Sequence, residues 1–186
     1  MCSLAIVNFR GFEYLASGSD HGCSKVIIWN PANWQMLQKY DSHAAAVTTI
    51  VDLKDQCHFL SGGYDKRLNV YSLEQSRLIY NLPANQTSVS GAVVNRSGSK
   101  LVTCGLDKSL NVWQISKLGD KVETLFLERK IQNNTLICSI AVSSMLDELV
   151  IIGTKDGKIK LINIEKGESY KTIQCSDNNL IEIALV

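Results

Sequence analysis

The sequence predicts an all-β fold assembled from four-stranded antiparallel repeat units, and three observations carry that expectation. First, a segment recurs: Leu60-Ser61-Gly62-Gly63-Tyr64-Asp65-Lys66-Arg67-Leu68-Asn69-Val70-Tyr71 returns as Val102-Thr103-Cys104-Gly105-Leu106-Asp107-Lys108-Ser109-Leu110-Asn111-Val112-Trp113. Second, the step is constant: Asp65 to Asp107 and Tyr71 to Trp113 are both 42 residues, and Trp29 precedes Tyr71 by 42. Third, short runs rich in Val, Ile and Leu alternate at period two between clusters of Gly, Asp, Asn and Ser, the pattern of strands joined by turns. No stretch reads as a helix.

The elements follow in order. The first copy starts with an inner strand at Leu4 to Phe9, and its turn carries three extra residues between Asp20 and Trp29. The second has strands near Ala46 to Val51, His58 to Ser61, Arg67 to Tyr71 and Leu78 to Asn81, with turns at Lys54-Asp55-Gln56 and Asp65-Lys66. The third repeats this with Val89 to Val94, Lys100 to Thr103, Ser109 to Trp113 and Glu123 to Leu127. The fourth uses Ile137 to Val142, Leu149 to Ile152, Lys158 to Ile162 and Tyr170 to Ile173. Trp113 to Ile162 is 49 residues, and the excess fits surface insertions at Lys117-Leu118-Gly119-Asp120 and Arg129 to Asn134. A further apolar strand, 180–186, follows the fourth copy.

Self-similarity at about 40 to 45 residues, with an apolar-Ser-Gly stretch, a turn Asp and an aromatic six positions later, resembles the WD-repeat family of β-propellers. The resemblance covers essentially the whole chain. It implies a β-propeller of WD-repeat type with four four-stranded antiparallel blades, at 1–41, 42–83, 84–129 and 130–175, plus the first strand of a fifth at 180–186. A lone strand leaves unpaired backbone groups along an apolar edge, and propellers escape such edges by circular closure. The expectation is therefore an incomplete propeller, part of a longer one, with closure against a partner chain or a divergent compact ring as alternatives. Expressed alone, the chain is expected to self-associate through that edge.

The resemblance also implies a hydrogen-bonded chain in each blade: Trp of the third strand, Ser or Thr of the second, His of the loop before the inner strand, and Asp of the turn. An indole, a hydroxyl, an imidazole and a carboxylate can satisfy one another where water is scarce. The second blade supplies His43, Ser61 and Asp65, with Tyr71 where Trp belongs. The third supplies Thr103, Asp107 and Trp113, with Asn85 at the His position. The first has Ser17 and Trp29 with Asp20 displaced, and the fourth keeps only Asp156, since Ile152 and Ile162 are apolar. On this reading no blade is complete, and Val, Ile and Leu packing does most of the holding.

Composition narrows the functional classes. The 186 residues are 45% apolar, enough for a real core, and the net charge is +1 with no run of like charge. Nucleic acid and membrane are therefore not favoured as partners. Leu4-Ala5-Ile6-Val7 is too short for a signal peptide, so the expected compartment is cytoplasmic, with the nucleus open, and the Asn-x-Ser/Thr triplets at Asn85, Asn95 and Asn133 read as coincidence. The six cysteines, Cys2, Cys23, Cys57, Cys104, Cys138 and Cys175, form no Cys-x-x-Cys pair and read as buried free thiols. His21 with Cys23 does not make a zinc shell. Gly153-Thr154-Lys155-Asp156-Gly157-Lys158 misses the phosphate-loop spacing and has no following helix. His43, Asp65 and Ser61 invite a catalytic reading, but they stand where the blade's hydrogen-bonded chain places them, and His21 and His58 lie in loops without matched partners. No catalytic, cofactor or metal site is expected.

What remains is binding. The sequence reads as a non-catalytic scaffold for protein or peptide partners that supports complex assembly, the alternative being a regulatory or targeting domain of a larger enzyme-containing polypeptide such as a kinase. In the family, the residue before each turn Asp points onto the face around the central channel, here Tyr64, Leu106 and Lys155. The starts of the inner strands add Ala46, Thr48, Ser88, Ser90, Ile137 and Ser139. Together they are expected to form a modestly apolar rim suited to a peptide segment.

Overall fold

The structure is a computed structural model, and it describes residues 3–20, 22–84, 87–119, 121–143 and 146–175. Among the described residues, sixteen strands form four antiparallel sheets, each a simple meander in chain order. The first sheet is β1 (Ser3–Phe9), β2 (Phe12–Gly18), β3 (Val26–Trp29) and β4 (Met36–Tyr40). The second is β5 (Val47–Asp52), β6 (His58–Gly63), β7 (Arg67–Ser72) and β8 (Arg77–Pro83). The third is β9 (Val89–Val94), β10 (Lys100–Gly105), β11 (Ser109–Leu118) and β12 (Lys121–Gln132), and the fourth is β13 (Ile137–Val142), β14 (Leu149–Thr154), β15 (Lys158–Asn163) and β16 (Glu168–Gln174). Each inner strand packs on the next, β1 on β5, β5 on β9 and β9 on β13, so the sheets stand side by side as blades. The anticipated strand at 180–186 lies outside the described residues.

Period-two alternation is what joins blade to blade. In β6, Phe59 faces the core shared with the first blade and Leu60 the core shared with the third. In β10, Leu101 faces the second blade and Val102 the fourth. A sheet with neighbours on both faces has no solvated side, so β6 and β10 are buried at every residue. Where the second strand of one blade meets the inner strand of the next there is no room for a side chain: a Cβ on Gly18 would stand 2.7 Å from Val47 Cγ1, and one on Gly62 2.9 Å from Val89 Cγ1.

Three expectations change. The excess residues of the third blade do not form loops but lengthen the β11–β12 hairpin, which takes up its irregularity as register shifts at Val112/Trp113 and Ser116/Lys117. Buried Val122 and Leu125 give that extension an apolar face to keep. His58 does not lie in a loop; it opens β6 and is buried. Cys57 and Cys104 are buried, the Cys104 thiol pushed up to about 11 by desolvation, but Cys23 in a turn, Cys138 on an outward-facing strand position and Cys175 just after β16 are exposed.

Candidate functional site

One end of the blades is organised by the turns that precede β7, β11 and β15. In each, the amide of the residue before the turn Asp donates to a carbonyl at the start of the inner strand: Tyr64 N to Ala46 O at 2.9 Å, Leu106 N to Ser88 O at 3.3 Å, and Lys155 N to Leu136 O at 2.9 Å. The turns themselves are closed by Lys66 N to Gly63 O, Lys108 N to Gly105 O and Gly157 N to Thr154 O. Tied on both sides, the backbone turns the side chains of Tyr64, Leu106 and Lys155 outward, with Tyr64 42% and Leu106 50% exposed. Lys155 also borders a cleft of about 300 Å³ together with Lys108, Thr135 and Leu136.

The other six predicted rim residues do not all join them. Ala46 and Ile137 are buried and drop out of the surface, because the start of the inner strand is roofed by the turn that it hydrogen-bonds. Thr48 is spent between blades, its hydroxyl lying 3.0 Å from Gly62 O and 2.7 Å from Val89 O. Ser90 Oγ donates to Cys104 O, and Ser139 Oγ is buried with no partner among the described residues. Ser88 is half-buried.

Beneath Tyr64 the second blade carries a complete four-residue chain. Asp65 Oδ2 stands 2.8 Å from His43 Nδ1, His43 Nε2 2.7 Å from Ser61 Oγ, and Ser61 Oγ 3.1 Å from Tyr71 Oη. The Ser61 hydroxyl donates to Tyr71 Oη, and the two ring nitrogens of His43 link that hydroxyl to the Asp65 carboxylate. Burial opposes the charge on Asp65, but His43 and the amides of Ala44 and Arg67 outweigh it and hold the carboxyl below its ordinary range. The expectation that no blade is complete is thereby corrected. A phenol hydroxyl takes the place of the indole N–H at the end of the chain, and stacking on Phe59 (ring centroids 4.8 Å, interplanar 15°) aims it.

The remaining blades depart from this pattern in graded fashion. Trp29 Nε1 donates to Ser17 Oγ at 2.8 Å and Trp113 Nε1 to Thr103 Oγ1 at 3.1 Å. Asp107 is held by Ser109 Oγ and Lys130 Nζ; Asn85 lies outside the described residues. In the fourth blade Asp156 does not stand alone, because Thr154 Oγ1 donates to it at 2.6 Å, Thr135 Oγ1 at 3.1 Å, and Lys158 pairs with it at 2.8 Å. Thr135 does the work of the missing His. Ser61 is fully buried between His43 and Tyr71, so no substrate can reach it as a nucleophile.

Residue-by-residue reasoning missed a second buried pair at the opposite end. Asp55 Oδ1 accepts from the amides of Cys57 and His58, and Oδ2 accepts from Val122 N at 2.9 Å and contacts His58 Nδ1 at 2.5 Å. Burial again opposes the charge, and these donors outweigh it, holding Asp55 low. The carboxylate thus ties the β5–β6 turn of one blade to β12 of the next. Asp55-x-x-His58 is the signal that could have shown it, since a turn Asp usually accepts from the amides that follow it.

Four meanders packed face to face around their inner strands define a β-propeller. Sequence comparison agrees: the profile of the WD domain, G-beta repeat, matches residues 34–72 and 76–114. The chain thus carries two WD repeats and has the β-propeller fold. It is 24% identical over 175 residues to Protein ROOT INITIATION DEFECTIVE 3 of Arabidopsis thaliana, covering 86% of this chain and 37% of that protein. It is 28% identical over 110 residues to an uncharacterized WD repeat-containing protein of Schizosaccharomyces pombe, covering 58% of this chain and 29% of that protein. The chain therefore spans about a third of the length of these curated relatives. The crystal structure of the Cps50 (Swd1) β-propeller domain of Myceliophteria thermophila superposes with a TM-score of 0.77 over all of this chain and 62% of that one, at 13% identity, a likeness of fold alone. WD-repeat propellers generally serve as protein-interaction scaffolds.

Proposed function

We propose that this chain is a non-catalytic scaffold unit that captures segments of protein partners on the face carrying Tyr64, Leu106 and Lys155. The observation that carries the reading is the repeated tie of the turn to the inner strand, which presents an aromatic and an aliphatic side chain from neighbouring blades at fixed positions. Side chains held outward by their own backbone lose little freedom on binding, which favours them as anchors. The lysines at 66, 108 and 155 beside them suit a segment with an apolar centre and acidic flanks. Affinity capture with the intact chain and with the Tyr64→Ala Leu106→Ala double variant tests it. Loss of the captured partner by a variant that retains its far-ultraviolet circular dichroism supports the face, and undiminished capture removes it.

A further inference from the structure

At the end of the blades opposite Tyr64, turns of the first three blades enclose a cleft of about 460 Å³. Arg10 reaches it from the β1–β2 turn, Lys54 and Asp55 from the β5–β6 turn, Glu74 from the β7–β8 turn, and Lys117 and Lys121 from the β11–β12 hairpin. The antiparallel meander puts these turns at one end, so cations far apart in sequence converge. Four cations meet two carboxylates here. Asp55 lines the cleft with both oxygens already engaged by the amides and imidazole described above. Glu74 is shared between Lys121 Nζ at 2.5 Å and Arg10 Nη2 at 2.9 Å, which together hold it below the ordinary carboxylate range. Lys117 has no carboxylate partner among the described residues. Lys54 donates to Asn95 O, and partial withdrawal from water lowers its pKa despite Asp147 and Asp52 nearby.

We infer that this cleft docks a phosphorylated segment of a protein partner. Four cations facing two carboxylates leave an excess of positive charge that a single further carboxylate would not balance, whereas a phosphomonoester brings about −1.5 to −2 charges and three acceptor oxygens. Arg10 offers a planar fork and the lysines mobile ammonium groups, a donor set suited to phosphate oxygens. The volume lies within the range of ligand clefts and admits a phosphorylated side chain with its neighbours. A membrane surface fits less well, because the cations line a concavity and flank Glu74 instead of spreading over a flat face. The inference is independent of the face carrying Tyr64.

The test is fluorescence anisotropy on the full chain with a labelled degenerate pool of short peptides bearing one fixed phosphoserine, against the same pool with serine. Phosphoserine should be preferred by about tenfold or more, and the preference should weaken as salt is raised, since Arg10 and Lys121 are exposed. Lys117→Ala with Lys121→Ala should remove most of it. Glu74→Gln, which takes away the competing carboxylate, should instead tighten phosphopeptide binding several-fold, a gain that misfolding cannot produce. Equal binding of the two pools, or a preference indifferent to both variants, would overturn the proposal. So would retention of phosphatidylserine vesicles without any phosphopeptide preference, or inorganic phosphate binding as tightly as the peptide.

Discussion

The hydroxyl of Tyr71 lies 3.1 Å from Oγ of Ser61, at the end of a hydrogen-bonded chain that begins at the turn carboxylate of Asp65. The ring of Tyr71 is fully buried against Phe59 and Tyr40. One residue thus completes a polar network with its tip and a core between two blades with its body.

Tyr71→Phe keeps the body and deletes the tip. It should lower unfolding free energy by about 1 kcal/mol, the net worth of one hydrogen bond. Tyr71→Trp, the residue usual at this position in the family, should do no better: the larger indole must displace Phe59 or Tyr40, which costs roughly 1 to 3 kcal/mol. Urea titration of the three proteins measures both. A Trp variant more stable than the parent would show that the pocket is shaped by the family's pattern and not by this tyrosine.

Acid should loosen the chain through Asp55 and Asp65. Both carboxyls titrate below their ordinary value in the folded protein. A depressed folded pKa means stabilisation that is fully present above the unfolded aspartate value of about 3.9 and is lost as pH falls through the lower folded values. The urea midpoint should therefore fall as pH drops below about 4. Asp65→Asn should begin lower at neutral pH by roughly 1 to 3 kcal/mol and then change less on acidification. An undiminished acid slope in both Asp65→Asn and Asp55→Asn would place the titration elsewhere.

Lys66 and Lys108 adopt φ of 66° and 63°, the left-handed region where the equivalent turn of the fourth blade has Gly157 at 74°. A side chain there is strained, so Lys66→Gly and Lys108→Gly should each stabilise by about 0.5 to 1 kcal/mol, and Gly157→Lys should destabilise by a similar amount. Differential scanning calorimetry of the three single variants reads the sign directly.

Gly18→Ala should be costly although the change is one methyl. The new Cβ would stand 2.3 Å from Ser3 Oγ and 2.8 Å from Val47 Cβ, so the first two blades must part. The expected loss is roughly 1 to 3 kcal/mol in a thermal melt. An unchanged melting temperature would mean that the first blade shifts freely against the second.

The sequence by itself determined the architecture. The 42-residue step and period-two alternation placed all the expected strands of the second and third blades, because strand pairing within a meander is local and a one-residue slip would exchange the two faces. It also located Tyr64, Leu106 and Lys155 at matching turns, since turn position follows from spacing. What it did not contain was proximity across blades. Whether Tyr71 could stand in for an indole depended on Phe59 and Tyr40, one in the same blade and the other in the blade before it. Thr135 as the support of Asp156, Val122 as a donor to Asp55, and the burial of Ala46 and Ile137 are likewise facts of packing. The cleft shared by Arg10, Lys54, Glu74, Lys117 and Lys121 joins turns of three blades, with no periodicity to mark it. Local pattern decides strands and turns, whereas hydrogen-bond partners and charge clusters are set by which turns the tertiary fold brings within a few ångströms of one another.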